Sequence, residues 1–96
     1  MKLATWNVNS LAVRLPQVLD WLAANPVDAL VLQETKLTDD KFPRAEIEAA
    51  GYAVQWFGQK TYNGVALLSR EPAHDVTKNI FGFADEQARV IAGTVD

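Results

Sequence analysis

The 96-residue sequence contains no cysteine. That excludes disulfide bonds, thiolate catalysis and zinc–thiolate centres, and it agrees with the expectation of a reducing, cytoplasmic setting. No stretch approaches the ~18 consecutive apolar residues of a membrane-spanning helix, so no membrane role is expected. The opening residues, Met1-Lys2-Leu3-Ala4-Thr5-Trp6-Asn7, lack the apolar core of a secretory signal. Positive charge is in short supply: 9 Lys and Arg face 12 Asp and Glu, for a net charge of −3. A protein that coats nucleic acid through bulk charge is therefore not expected. An enzyme whose few cations surround one cleft, with a metal ion supplying further positive charge, is still allowed. Repeats, low-complexity tracts and linkers are also missing, which leaves a single domain. What is abundant is apolar side chain, 49% of the sequence, enough to build a packed core.

The pattern reads as α/β. Residues 2–8 form a first strand, with Leu3, Trp6 and Val8 apolar. Asn7-Val8-Asn9-Ser10 carries turn chemistry. A helix follows in which Leu15, Val18, Leu19 and Leu22 draw one stripe, with Pro16 expected in its first turn and Asn25-Pro26 ending it. Residues 28–34 form a second strand whose run Ala29-Leu30-Val31-Leu32 matches a strand covered on both faces. Strand, helix and strand with short joints make a βαβ unit with parallel strands. Residues 35–42 read as loop and 43–50 as a short helix stopped by Gly51. Residues 52–58 and 64–70 read as an antiparallel hairpin, 75–80 as a short strand, 81–87 as loop and 89–95 as a last strand. A Val/Ile-rich strand so near residue 96 leads us to expect further chain to pair with it, so the sequence reads as the front part of a larger domain.

The βαβ reading brings Asn7 and Glu34 to the carboxyl ends of two parallel strands, the edge where ligands gather in open α/β sheets. A carboxylate there is a hard ligand suited to Mg²⁺ or Mn²⁺, and a neighbouring carboxamide either ligates or orients. By spacing alone, the pair reads first as a turn-capping asparagine and a solvent-facing glutamate, and second as a metal site.

Four ordered blocks carry a stronger signal. They are Thr5-Trp6-Asn7-Val8-Asn9-Ser10-Leu11 with Arg14, Leu32-Gln33-Glu34-Thr35-Lys36, Tyr62-Asn63-Gly64-Val65-Ala66-Leu67-Leu68-Ser69-Arg70, and Gln87 with Arg89-Val90-Ile91-Ala92. Together they span the chain, and it resembles the exonuclease III family of Mg²⁺-dependent apurinic/apyrimidinic endonucleases and 3′-exonucleases of base-excision repair. The resemblance implies the N-terminal part of a four-layered α/β sandwich. It also implies hydrolysis of DNA phosphodiesters at abasic sites and 3′ ends, with double-stranded DNA as partner and a monomeric full-length protein. It assigns Glu34 to the metal-binding glutamate and Asn7 to the asparagine that lines the metal site and supports a catalytic aspartate. Lys36 then approaches the metal–phosphate region, and Asn9, Arg14, Tyr62, Asn63 and Arg89 approach the DNA backbone or the abasic site. Ala12 departs from the arginine of many relatives.

The family's later blocks are missing: a tyrosine, an aspartate–asparagine pair and a terminal aspartate–histidine pair. His74 follows a strand connection and reads as a surface residue. The chain alone is therefore expected to be catalytically incomplete. Two alternatives stand beside a repair nuclease: a non-catalytic remnant with weak DNA affinity, and a sister-branch phosphatase of the wider superfamily. Asp39-Asp40 and Asp85-Glu86 read as solvated loop carboxylates, and Trp6, Trp21 and Trp56 as core. Tyr62, on a hairpin tip, is the aromatic placed to reach a substrate.

Overall fold

A computed structural model of the chain describes residues 1–59, 61–78, 88 and 90–95. Four strands form one mixed sheet: β1 (Leu3–Asn7), β2 (Ala29–Gln33), β3 (Ala53–Phe57) and β4 (Val65–Ser69), in the spatial order β1-β2-β4-β3. β1 and β2 are parallel and in register, Leu3 opposite Ala29 and Asn7 opposite Gln33. β4 runs antiparallel to both β2 and β3. The βαβ unit and the hairpin are thus as expected. The insertion of β4 between β2 and β3 is not visible in the sequence pattern, because periodicity reports burial and not neighbours. All five residues of β4 are buried, as suits a central strand covered on both faces.

Two cross-sheet rows face the helices. One is Ala4, Leu30, Leu68 and Val54, and the other is Trp6, Leu32, Ala66 and Trp56. Against them pack Leu11, Val18 and Leu22 of α1 (Leu11–Ala24), Ile47 of α2 (Arg44–Ala49), and Phe42. Phe42 stacks on Trp56 at 4.8 Å between ring centroids. Trp6 meets Trp21 edge-on at 6.3 Å. The three tryptophans are accordingly part of the core and its margin.

The helix begins earlier than its Leu15–Leu22 stripe indicates. Leu11 is fully buried and extends the apolar face one turn toward the N-terminus. Pro16 therefore lies inside α1 and not in its first turn. Its ring faces solvent, and it leaves the Ala12 carbonyl without the usual i+4 donor.

The second sheet is a two-stranded antiparallel pair, β5 (His74–Lys78) and β6 (Ile91–Thr94). It lies over the face of the main sheet that the helices leave open, where the Gly93 backbone approaches Leu67 so closely that a Cβ would sit 3.2 Å from Cδ2. β6 thus supplies part of the cover for this face. Farther along the same face Leu3 is 69% exposed and Met1 74% exposed. The expected loop over residues 81–87 and the start of the last strand at Arg89 lie outside the described residues.

An internal proline costs a helix up to roughly 3 kcal/mol, partly offset by the entropy it removes from the unfolded chain. Pro16→Ala is expected to raise unfolding stability by about 1–2 kcal/mol, read from urea denaturation. An unchanged or lowered midpoint would show that α1 has adapted fully to the missing bond.

Candidate functional site

The site is built at the carboxyl ends of β1 and β2, where the chain leaves the sheet. Backbone hydrogen bonds continue past the strand ends. The N–H groups of Val8, Ser10 and Leu11 donate to the carbonyls of Gln33, Glu34 and Thr35 at 3.0, 2.9 and 3.0 Å. Ser10 makes no side-chain cap on α1, so the Thr35 carbonyl serves one of the helix's unpaired N–H groups instead. A second set joins the start of β4. Thr35 N–H donates to the Gly64 carbonyl at 3.1 Å, Lys36 N–H to the Asn63 carbonyl at 2.8 Å, and Gly64 N–H to the Ala88 carbonyl at 2.8 Å.

This stitching holds side chains in backbone conformations that L-residues seldom adopt. Asn9, Glu34, Lys36 and Asn63 all have positive φ, at 46°, 56°, 57° and 56°. Asparagine tolerates this region well; glutamate and lysine do so less readily. Residues held in this way concentrate at functional sites and persist only where surrounding bonds over-determine them.

The side chains converge. Asn7 Oδ1 accepts the Asn9 backbone N–H at 3.1 Å, which fixes which end of the carboxamide is oxygen. Asn7 Nδ2 is thereby turned to Glu34 and donates to its Oε2. Lys36 Nζ donates to Asn9 Oδ1 at 2.6 Å and stands 3.8 Å from Glu34 Oε1. Asn7, Asn9, Glu34 and Lys36 thus form one closed cluster of alternating donors and acceptors. Both Glu34 and Lys36 stay partly accessible, so a ligand can reach them. Gln33, one residue earlier, ties β2 to β1 by donating to Thr5 Oγ1 at 2.8 Å.

The remaining expected site residues stand apart from that cluster. Asn63 contributes its carbonyl to Lys36, while its side chain donates to Gln59 Oε1 at 3.4 Å. Gln59 Oε1 also accepts the Ala88 N–H. Tyr62 is 67% exposed at the tip between β3 and β4. Arg14 sits on the first turn of α1, and its guanidinium reaches Gln17 Oε1 at 3.5 Å. Arg89 lies outside the described residues. A small cavity of about 130 Å³ opens beside the cluster, lined by Gln33, Glu34, Asn63, Gly64, Val65 and Ala88.

Two residues here lie within the family-like blocks but were assigned no role of their own from the sequence. Thr35 is 1% exposed, and its Oγ1 has no hydrogen-bond partner among the described residues. A buried hydroxyl left unpaired costs roughly 1–3 kcal/mol. Gly64, at φ +92°, lies so close that a Cβ on it would stand 2.1 Å from that oxygen. Gly64 was read as the start of the strand over 64–70, and Thr35 as part of the loop over 35–42.

Other acidic and histidine groups serve the scaffold. Asp39 Oδ1 accepts the Gly58 N–H at 2.8 Å, and its carbonyl accepts Trp56 Nε1 at 3.3 Å. A hydrogen bond from the Thr38 side chain lowers the pKa of exposed Asp40. His74 is exposed and pairs with Asp75 at 3.0 Å. Among the described residues no three His, Cys, Asp or Glu side chains cluster as a metal site, and no helix is long and apolar enough to cross a membrane.

Comparison with known proteins places this geometry in context. Residues 4–95 match the Endonuclease/Exonuclease/phosphatase family. The chain is 33% identical over 100 residues to exodeoxyribonuclease III of Haemophilus influenzae, matching 100% of this chain and 36% of that protein. Its structure superposes on the 3′-5′ exonuclease NExo of Neisseria meningitidis with a TM-score of 0.96 at 57% identity, covering 99% of this chain and 38% of that one. The Neisseria protein is also described as a 3′ phosphatase, bound to a product DNA hairpin. An AP endonuclease from Archaeoglobus fulgidus superposes with a TM-score of 0.95 at 40% identity, covering 99% and 37%. The chain spans a little over a third of the length of these relatives.

Asn9 tests the conformational part of this account. Asn9→Gly removes an exposed contact and is expected to change stability by less than about 1 kcal/mol. Asn9→Val forces a β-branched residue into the left-handed region and is expected to lower stability by about 1–3 kcal/mol. Equal stabilities in urea denaturation would show that the turn relaxes freely.

Proposed function

We propose, on the premise that this chain belongs to the Endonuclease/Exonuclease/phosphatase family, that residues 1–96 are the N-terminal part of one nuclease domain that hydrolyses DNA phosphodiesters with Mg²⁺ or Mn²⁺. The observation that carries this reading is the hydrogen bond from Asn7 to Glu34 at the ends of parallel β1 and β2, with Lys36 beside it.

The donor set fits a hard divalent cation. Glu34 has one carboxylate oxygen, Oε1, that Asn7 does not occupy, and Mg²⁺ keeps several waters and needs only one or two carboxylates besides substrate phosphate. Glu34 would hold the ion. Of the two roles open to a carboxamide here, orientation suits Asn7 better, because Asn9 and Glu34 already engage both ends of its amide. When bound, the ion supplies charge neutralisation at the phosphate. Lys36, held by Asn9, presents an ammonium that can meet a phosphate oxygen at the same edge. Tyr62 and Asn63 on the tip and Arg14 on the helix face are the remaining candidates for DNA contact, with Arg89 proposed on resemblance alone.

Abasic sites and 3′ ends are the two substrates considered. The 57% identical Neisseria protein, named as a 3′-5′ exonuclease and a 3′ phosphatase, favours work at 3′ ends. Removal of a 3′ phosphate and of a 3′ nucleotide both require hydrolysis at phosphorus, where Lys36 would balance charge on the phosphate beside an ion held by Glu34.

The test uses labelled duplexes carrying an abasic site, a 3′ phosphate or a plain 3′ end, with Mg²⁺ or with chelator. In the complete domain, Glu34→Ala is expected to lower the rate by roughly 10²-fold or more, with partial recovery at high Mg²⁺. Asn7→Ala is expected to lose turnover that Mg²⁺ does not restore. The 96-residue chain alone is expected to show no chelator-sensitive cleavage. Full activity of the Glu34→Ala domain, or cleavage indifferent to chelator, would refute the proposal.

A further inference from the structure

We infer that Thr35 and Gly64 form a steric interlock that positions Glu34 and Lys36, so that both are positioning residues for the site although neither contributes a side chain to its hydrogen-bonded cluster. The inference rests on the metal-site reading given above, and it arises from four features of the same few residues.

Thr35 is the pinned middle of a three-residue segment. Its N–H donates to the Gly64 carbonyl at 3.1 Å, and its own carbonyl accepts the Leu11 N–H at 3.0 Å. The residues on either side, Glu34 and Lys36, both have positive φ and both carry side chains of the cluster. A small rotation of Thr35 about its two bonds therefore swings two functional groups at once.

What limits that rotation is contact, not hydrogen bonding. Thr35 Oγ1 has no partner among the described residues. It occupies the space that a Cβ on Gly64 would need, 2.1 Å from the ideal position, and the Lys36 backbone nitrogen lies 3.2 Å from that same position. Gly64 is thus required twice, for its φ of +92° and for its missing side chain. The threonine is required for its shape. Contact this close passes a displacement of Thr35 on to Gly64 and to the Lys36 backbone.

The test uses four variants of the 96-residue chain: Thr35→Val, Thr35→Ala, Gly64→Ala and the Thr35→Ala/Gly64→Ala double. Two readouts are taken by NMR. The first is the position of the Asn7 side-chain amide protons, which reports the bond to Glu34 without metal or activity. The second is paramagnetic broadening of the Asn7 and Glu34 signals on titration with Mn²⁺. A merely structural role would lower the melting temperature and leave the Asn7 amide signal of the folded state in place.

Thr35→Val conserves shape and is expected to keep the Asn7 signal and the Mn²⁺ affinity within about twofold of the parent. Thr35→Ala opens a gap and is expected to shift the Asn7 amide toward a free carboxamide and weaken Mn²⁺ about tenfold, the scale on which outer groups tune metal sites. Gly64→Ala is expected to do the same more strongly, and the double variant to recover part of the loss by removing the obstructing oxygen. If Gly64→Ala does not fold, the two Thr35 variants decide the matter. Unchanged readouts in Thr35→Ala would overturn the inference. Equal losses in Thr35→Val and Thr35→Ala would also overturn it, by assigning the effect to the hydroxyl. Should the Asn7 signal respond as expected while the parent chain shows no Mn²⁺ broadening, the metal-site reading fails and the interlock stands.

Discussion

The backbone hydrogen bonds that run beyond the strand ends are the constraint on which the rest of this structure depends. Donors at Ser10, Leu11, Thr35, Lys36 and Gly64 find carbonyls at Glu34, Thr35, Gly64, Asn63 and Ala88. Loops usually leave such groups to water. Here they are spent on each other, and they bind the exits of β1 and β2 to the entrance of β4. That is why side chains 27 residues apart in sequence, Asn7 and Glu34, meet in space.

The stitching also accounts for the unusual backbone. Asn9, Ser10, Glu34, Lys36 and Asn63 of one small region stand at positive φ, a conformation that costs about 1–3 kcal/mol each for residues not suited to it. The gain is a fixed direction for each side chain. A carboxylate that is already oriented by an amide, with an ammonium already held by a second asparagine, needs little reorganisation when a phosphate or a cation arrives. Preorganisation of this kind is the main way a protein stabilises charge that develops during hydrolysis.

The parts of the fold governed by local rules were legible in the sequence. Alternation and apolar runs located all four strands of the main sheet to within a residue or two, and the short βαβ joints required β1 and β2 to be parallel. Asn7 and Glu34 followed from that topology as neighbours at one edge. Three features were not legible. The position of β4 depends on non-local pairing, which leaves no periodic trace. The start of α1 was obscured because Pro16 resembles a first-turn proline, whereas burial of Leu11 decides the boundary. The link between Lys36 and Asn9 depends on positive φ at Lys36, whose type does not call for it, and the Thr35–Gly64 contact is a long-range approach that leaves no local trace. The outward roles of Arg14 and Tyr62 rest on resemblance, since neither joins the cluster.

Amide hydrogen exchange measures the central constraint most directly. If the strand-end bonds hold the site rigid, the N–H groups of Ser10, Leu11, Thr35, Lys36 and Gly64 will exchange as slowly as those of Leu30, Leu32, Ala66 and Leu68 in β2 and β4, because they will open only with the sheet. Exchange of these loop amides at the fast rate of exposed turns, while β2 and β4 stay protected, would contradict the account and show that the cluster is assembled by its ligand and not by the fold.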